Sequence, residues 1–199
     1  MNKIKIVVTG GPSGGKTTLV EVLQKDLAGK VNIVPESASI LYRGGFPRKA
    51  TALGKIHAQR AICFVQRELE DLITAENKVQ AIVCDRGSLD SIAYWPGDID
   101  DFFASLKTNK QAELDRYQWV IHLDTAGSSS FDITNPIRIE NYKEALELND
   151  LIKQAWAGHP QRIIIGHAEN FLEKIRKAKQ VVTMILEGHD YKTIIATLF

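Results

Sequence analysis

The sequence predicts an α/β fold in which a parallel sheet carries helices on both faces. Three observations lead there. Short apolar runs such as Ala81-Ile82-Val83-Cys84 and Ile163-Ile164-Ile165 lack the polar alternation of a strand with one wet face. Longer segments with apolar residues at helical spacing separate these runs, and strand, helix, strand in sequence implies parallel neighbours. The first run passes into the first helix through a glycine-rich segment, Gly10-Gly11-Pro12-Ser13-Gly14-Gly15-Lys16-Thr17.

In chain order, Lys3 to Thr9 begins as an alternation and ends as a continuous apolar run, as a strand entering a doubly covered sheet does. Thr17 to Ala28 reads as a helix with Leu19, Val20, Leu23 and Leu27 on one face and Gly29 at its end. Val31 to Val34 is a short strand broken by Pro35-Glu36-Ser37, where the next helix starts. Arg43 to Lys49 is a loop with three cations. Ala52 to Asn77 is one long helix with Ile62, Val65, Leu69, Leu72 and Ile73 on its stripe. Gln59, Arg60 and Gln66 fall off or beside that stripe, where they either line an acceptor pocket or are exposed polar residues with no special role.

Ala81 to Cys84 is a buried strand ending in Asp85-Arg86-Gly87, with Asp90 one helical turn further on to support Arg86. Two short helices follow, Leu89 to Trp95, stopped by Pro96-Gly97, and Ile99 to Leu106. Tyr117 to Leu123 reads as a strand running into Asp124-Thr125-Ala126-Gly127. The stretch from Gly127 to Arg138 is polar and irregular. A helix from Ile139 follows, with Tyr142, Leu146, Asn149, Ile152 and Trp156 at helical spacing. A strand, Arg162 to Ile165, and a helix from Ala168 to about Leu186 complete the alternation.

The glycine-rich segment fits the pattern G-x-x-x-x-G-K-[ST] without a mismatch, and the flanking strand and helix supply the context that the pattern requires. Glycines let successive backbone N–H groups approach an anion, and the following helix points its positive end at the same spot. The segment is therefore expected to hold phosphates through Gly11, Pro12, Ser13, Gly14, Gly15, Lys16, Thr17 and Thr18. Lys16 would reach the terminal phosphates and the Thr17 hydroxyl would help hold Mg²⁺. Ligands of open α/β sheets bind outside the carboxyl ends of the strands, so Glu36 and Asp85 share the edge of the phosphate loop. Glu36 would serve as a base or hydroxyl-binding group, or alternatively as a first-turn acid that stabilises its helix dipole. Asp85 would hold Mg²⁺ through its water shell, and Arg86 would bind a phosphate or orient an acceptor.

At 199 residues, one domain spanning residues 1–199 is expected. Hydrophobic content of 44% and charged content of 25% are those of a soluble globular protein. A formal net charge of +1 gives no electrostatic case for nucleic acid or an anionic membrane. No leader-like segment or membrane-length apolar run is visible, which points to the cytoplasm. Cys63 and Cys84 read as buried free thiols, and the five histidines lack zinc-site spacing, so no structural metal is expected.

With the loop at residues 10–17, Pro35-Glu36, Asp85-Arg86-Gly87 and a lid-like stretch ending in Arg138, the chain resembles the P-loop nucleoside and nucleotide kinases. More closely, it is similar to small AAA-labelled ATP-binding domains related to ribosylnicotinamide kinase domains. The resemblance implies a three-layer fold with a five-stranded parallel sheet in the order 2-3-1-4-5, ATP with Mg²⁺, and a mobile lid over about residues 127–158. It also implies an arginine that closes over the transferred phosphate, a role that falls to Arg138. Typical lids of the adenylate type carry several arginines, whereas Arg138 is nearly alone.

The expected activity is transfer of the ATP γ-phosphate to a small hydroxyl-bearing, nucleoside-like acceptor, with Lys16, Glu36, Asp85, Arg86 and Arg138 as catalytic residues. The alternative is a GTP- or ATP-binding switch, or an ATPase, without small-molecule kinase activity. Asp124-Thr125-Ala126-Gly127 matches a D-x-x-G switch element, and Asn109-Lys110 begins like a guanine-reading N-K-x-D. Yet Asn109-Lys110-Gln111-Ala112 lacks the aspartate and precedes the D-x-x-G element instead of following it.

Overall fold

Val7 and Val8 are both fully buried, yet they pack into different cores, because successive residues of a strand face opposite sides of the sheet. The computed structural model describes residues 4–76, 78–125, 141–166 and 170–199. Its sheet comprises β1 (Ile4–Thr9), β2 (Val31–Val34), β3 (Ala81–Asp85), β4 (Trp119–Leu123) and β5 (Arg162–Ile165). All pairings are parallel and the spatial order is β2-β3-β1-β4-β5. This is the order that the resemblance implies.

Two apolar clusters cover the sheet. On one side Ile6, Val8, Val83 and Ile121 meet Leu19 and Leu23 of α1 (Lys16–Asp26), Val181 and Ile185 of α7 (Phe171–Leu186), and Ile194 of α8 (Tyr191–Leu198). On the other, Val7, Ile82, Cys84 and Val120 meet Cys63 of α3 (Ala52–Glu76), Leu89 of a 3₁₀ segment (Ser88–Tyr94) and Phe102 of α4 (Ile99–Ser105). Leu114 of α5 (Lys110–Leu114) and Ile152 of α6 (Tyr142–Ala155), with the adjoining Trp156, complete that layer. The short α2 (Ser37–Arg43) packs beside α3.

Four elements differ from the expectations. The fully buried face of α3 is Ala58, Gln59, Cys63, Gln66 and Glu70, while Leu72 of the expected stripe is 52% exposed. Glu70 is buried because Lys5 and Arg116 neutralise it, so polar residues lie where period alone places the core. The helices α5 and α8 were not expected; Asn109 and Asp190 cap them, each accepting a backbone N–H through its side chain. The segment Ser88–Tyr94 winds as a 3₁₀ helix. No helix among the described residues is long and apolar enough to cross a membrane.

Candidate functional site

The chain leaves β1 at Thr9 and wraps tightly before α1 begins. Gly10 and Gly15 have φ of 125° and 95°, and Ser13 takes the same left-handed region at 57°. A Cβ on Gly10 would stand 2.0 Å from the Leu123 carbonyl oxygen, and one on Gly11 would stand 2.2 Å from Thr125 Oγ1. The loop is glycine-rich because it is pressed against the end of β4. Pro12 and Gly14 are buried within it, Thr17 is exposed, and Thr18 is half-buried in the first turn of α1.

Lys16 is the first residue of α1 and nearly buried. Its Nζ donates to the carbonyl oxygens of Gly10 at 2.9 Å and Gly11 at 2.7 Å, so the loop is folded onto its own lysine. Burial and then the Arg86 guanidinium pull its ammonium down to about 7, against the upward pull of Asp85, Asp90 and Glu36. An anionic oxygen would be a stronger acceptor for this ammonium than the two carbonyls it now holds.

Across the same sheet edge lie the ends of β2 and β3. Glu36 occupies the N-cap position of α2, but its carboxylate makes no cap bond. It turns to Arg86, whose Nε donates to Oε1 at 2.6 Å, and it also accepts from Ser39 Oγ. Burial alone would raise the Glu36 pKa; Arg86 and Ser39 outweigh it and hold the carboxyl below its ordinary value. The Arg86 Nη1 reaches Asp90 Oδ2 at 3.3 Å. Asp90 Oδ1 accepts in turn from Thr9 Oγ1 at 2.6 Å and Trp156 Nε1 at 2.7 Å. Asp90 thus supports Arg86, as its spacing implies.

Asp85 closes β3 directly beside Val8 of β1. Burial and then the Glu36 charge push its carboxyl up to about 6. Lys16, Glu36, Asp85 and Arg86 are therefore brought together at one edge. Arg138 lies outside the described residues, as do residues 127–140 of the expected lid. The described remainder is α6 and its end, which the buried Ile152, Ala155 and Trp156 pack into the core instead of leaving it as a separate lid.

Reading the sequence missed a second set, on the β4 side of the loop. Asn149 of α6 accepts the Gly11 N–H at 2.9 Å and donates to Asp124 Oδ1 at 2.9 Å. Asp124 Oδ1 also meets Lys153 Nζ at 2.6 Å, and its backbone carbonyl accepts from Lys174 Nζ. These contacts occupy the aspartate of the D-x-x-G match, and Asn109 of the N-K match accepts the Ala112 N–H as a helix cap. Asn149 carried a helical-spacing signal, but nothing in the sequence tied it to Gly11.

A family model described as an AAA domain matches residues 5–174. This chain belongs to the AAA domain family. No curated protein matches this AAA-domain chain. Its fold is similar to the solved structure of deoxyadenosine kinase from M. mycoides with bound dATP, at TM-score 0.62 and 14% identity over 92% of this chain and 100% of that one. It is also similar to thymidylate kinase from Candida albicans, at TM-score 0.60 and 16% identity over 94% of this chain and 92% of that one. The AAA domain thus shares the P-loop kinase fold.

Proposed function

We propose that this AAA domain is a single-domain kinase that transfers the γ-phosphoryl group of ATP to a hydroxyl of a small, nucleoside-like acceptor. The observation that carries the reading is the two-sided edge. A phosphate loop with its lysine faces an ordered Glu36–Arg86–Asp90 set, whereas a protein that only binds nucleotide needs no second half-site. Hydrogen-bonding capacity for an acceptor also stands on that side. Ser88, two residues beyond Arg86, keeps its hydroxyl buried without a partner among the described residues.

In this reading the loop amides and Lys16 hold the β- and γ-phosphates. The bond between the γ-phosphorus and the β–γ bridging oxygen breaks, a bond to the acceptor oxygen forms, and ADP leaves. Glu36 accepts the hydroxyl proton. Its lowered pKa is compatible with that role, because phosphoryl transfer through a loose transition state asks for orientation more than base strength. Arg86, and Arg138 from the lid, offset charge on the transferring oxygens.

The residues also fit Mg²⁺. Asp85 is a carboxylate whose ionisation is opposed by burial and by Glu36, and a cation beside it would relieve both. One carboxylate and the Thr17 hydroxyl suit an ion that takes its other oxygens from phosphate and water. Bound Mg²⁺ would supply neutralisation of phosphate charge. The test is incubation of the pure protein with ATP and Mg²⁺ against nucleosides and related metabolites, scored by a mass gain of one phosphate on the acceptor. A uniform failure of all acceptors, with ATP bound, favours the switch or ATPase alternative.

A further inference from the structure

Behind the candidate site, on the side away from the phosphate loop, lies a fully buried carboxylate that the proposed chemistry does not use. Glu70 of α3 receives Lys5 Nζ at 3.0 Å and Arg116 Nη2 at 2.7 Å on one oxygen. Its other oxygen accepts from Gln66 Nε2 at 3.1 Å and from Tyr117 Oη at 2.7 Å. These last two groups then reach one short turn. Gln66 Nε2 also donates to the Arg86 carbonyl at 3.2 Å, and Tyr117 Oη accepts the Ser88 N–H at 3.1 Å.

We infer that Glu70 is a positioning residue that sets the shape of the Asp85–Ser88 turn through Gln66 and Tyr117, and so the aim of Asp85 and Arg86. This rests on the proposed roles of those two residues.

The turn needs such a hold. Arg86 has φ of 71°, a left-handed conformation that a residue with a Cβ keeps only when its surroundings impose it. Its N–H is fixed to the Val8 carbonyl at 3.0 Å, and among the described residues its carbonyl is held by Gln66 Nε2. Two clamps that share one carboxylate oxygen act together. If Glu70 were merely a satisfied ion pair, Lys5 and Arg116 would suffice, and neither Gln66 nor Tyr117 need touch the turn. Tyr117 also presents its ring to Trp156 at 5.3 Å, and Trp156 is the donor to Asp90, so the Arg86 side chain is referred to the same anchor from its other end.

The test uses Gln66→Met and Tyr117→Phe, singly and together, because these leave the Lys5 and Arg116 pairs of Glu70 in place. Amide hydrogen exchange at Arg86 is measured in nucleotide-free protein, and ATP affinity is measured with excess EDTA and with excess Mg²⁺. In the double variant, Arg86 exchange is expected to speed up about tenfold or more, while strand amides of β4 stay protected. Affinity for metal-free ATP is expected to stay within about twofold, and the gain on adding Mg²⁺ to shrink about fivefold or more. Unchanged Arg86 exchange overturns the inference whatever the protein binds. So does a parallel loss of both affinities, or an intact Mg²⁺ gain. A wild type without any Mg²⁺ gain refutes the proposed role of Asp85, and with it the consequence for aim, while the exchange result still reports on the turn.

Discussion

Arg86 Nε donates to Glu36 Oε1 at 2.6 Å, which ties the carboxyl ends of β3 and β2 together across the edge that carries the phosphate loop. The proposed acceptor-binding carboxylate and the proposed phosphate-binding cation are therefore one unit. Glu36→Gln keeps a hydrogen-bond acceptor for Arg86 and removes the charge that would take the hydroxyl proton. We expect ATP affinity within about threefold of wild type and a phosphoryl-transfer rate lower by about a hundredfold or more. An unchanged rate in this variant would reduce Glu36 to a counter-ion of Arg86.

Lys16 now spends its ammonium on two carbonyls of its own loop. A ligand that binds only the folded state stabilises it by mass action, by about 2.7 kcal/mol at a hundred times its dissociation constant. ATP is expected to raise the melting temperature of the wild type clearly and that of Lys16→Ala hardly at all. A wild-type transition unmoved by saturating ATP, ADP and GTP alike would show that the loop is not a nucleotide site.

The phosphate loop and the strand ends were legible in the sequence because their signals are local. Glycine spacing, an apolar run and a following helix all lie within a few residues of one another. The order of the sheet came from the resemblance, since hydropathy alone does not order parallel strands. The buried face of α3 was misjudged for a physical reason. Gln66 and Glu70 are buried on the strength of Lys5, Arg116 and Tyr117, which stand 46 to 65 residues from Glu70 in the chain. The bond from Asn149 to Gly11 spans 138 residues and left no trace in either segment.

Asp124 supplies a pH-dependent contribution. Burial would raise its carboxyl, but hydrogen bonds from His122, Asn149 and Lys153 hold it well below the usual range. Because the folded-state pKa is depressed, the stabilisation is complete above the unfolded value and is lost as pH falls towards the folded one. Asp124→Asn is expected to cost about 1 kcal/mol at neutral pH, since the site is partly solvated. Denaturant unfolding should show this difference as constant above about pH 5 and shrinking below about pH 4. A difference that grows on acidification would contradict the assignment.

Base preference separates the kinase reading from the switch reading. The Asn109 side chain is spent on capping α5, and no aspartate follows at the guanine-reading position. Competition binding is expected to favour ATP over GTP. A GTP affinity clearly above that for ATP would put the switch reading first.

In the proposed kinase the γ-phosphoryl group goes to an acceptor hydroxyl and not to water. The most direct measurement is the ratio of phosphorylated acceptor to ADP in a reaction with limiting ATP, using the acceptor that the mass screen returns. A kinase gives one phosphorylated acceptor for each ADP, with little inorganic phosphate. If ADP is matched by inorganic phosphate at a rate that the acceptor does not change, the protein is an ATPase and the acceptor role of Glu36 and Arg86 is wrong.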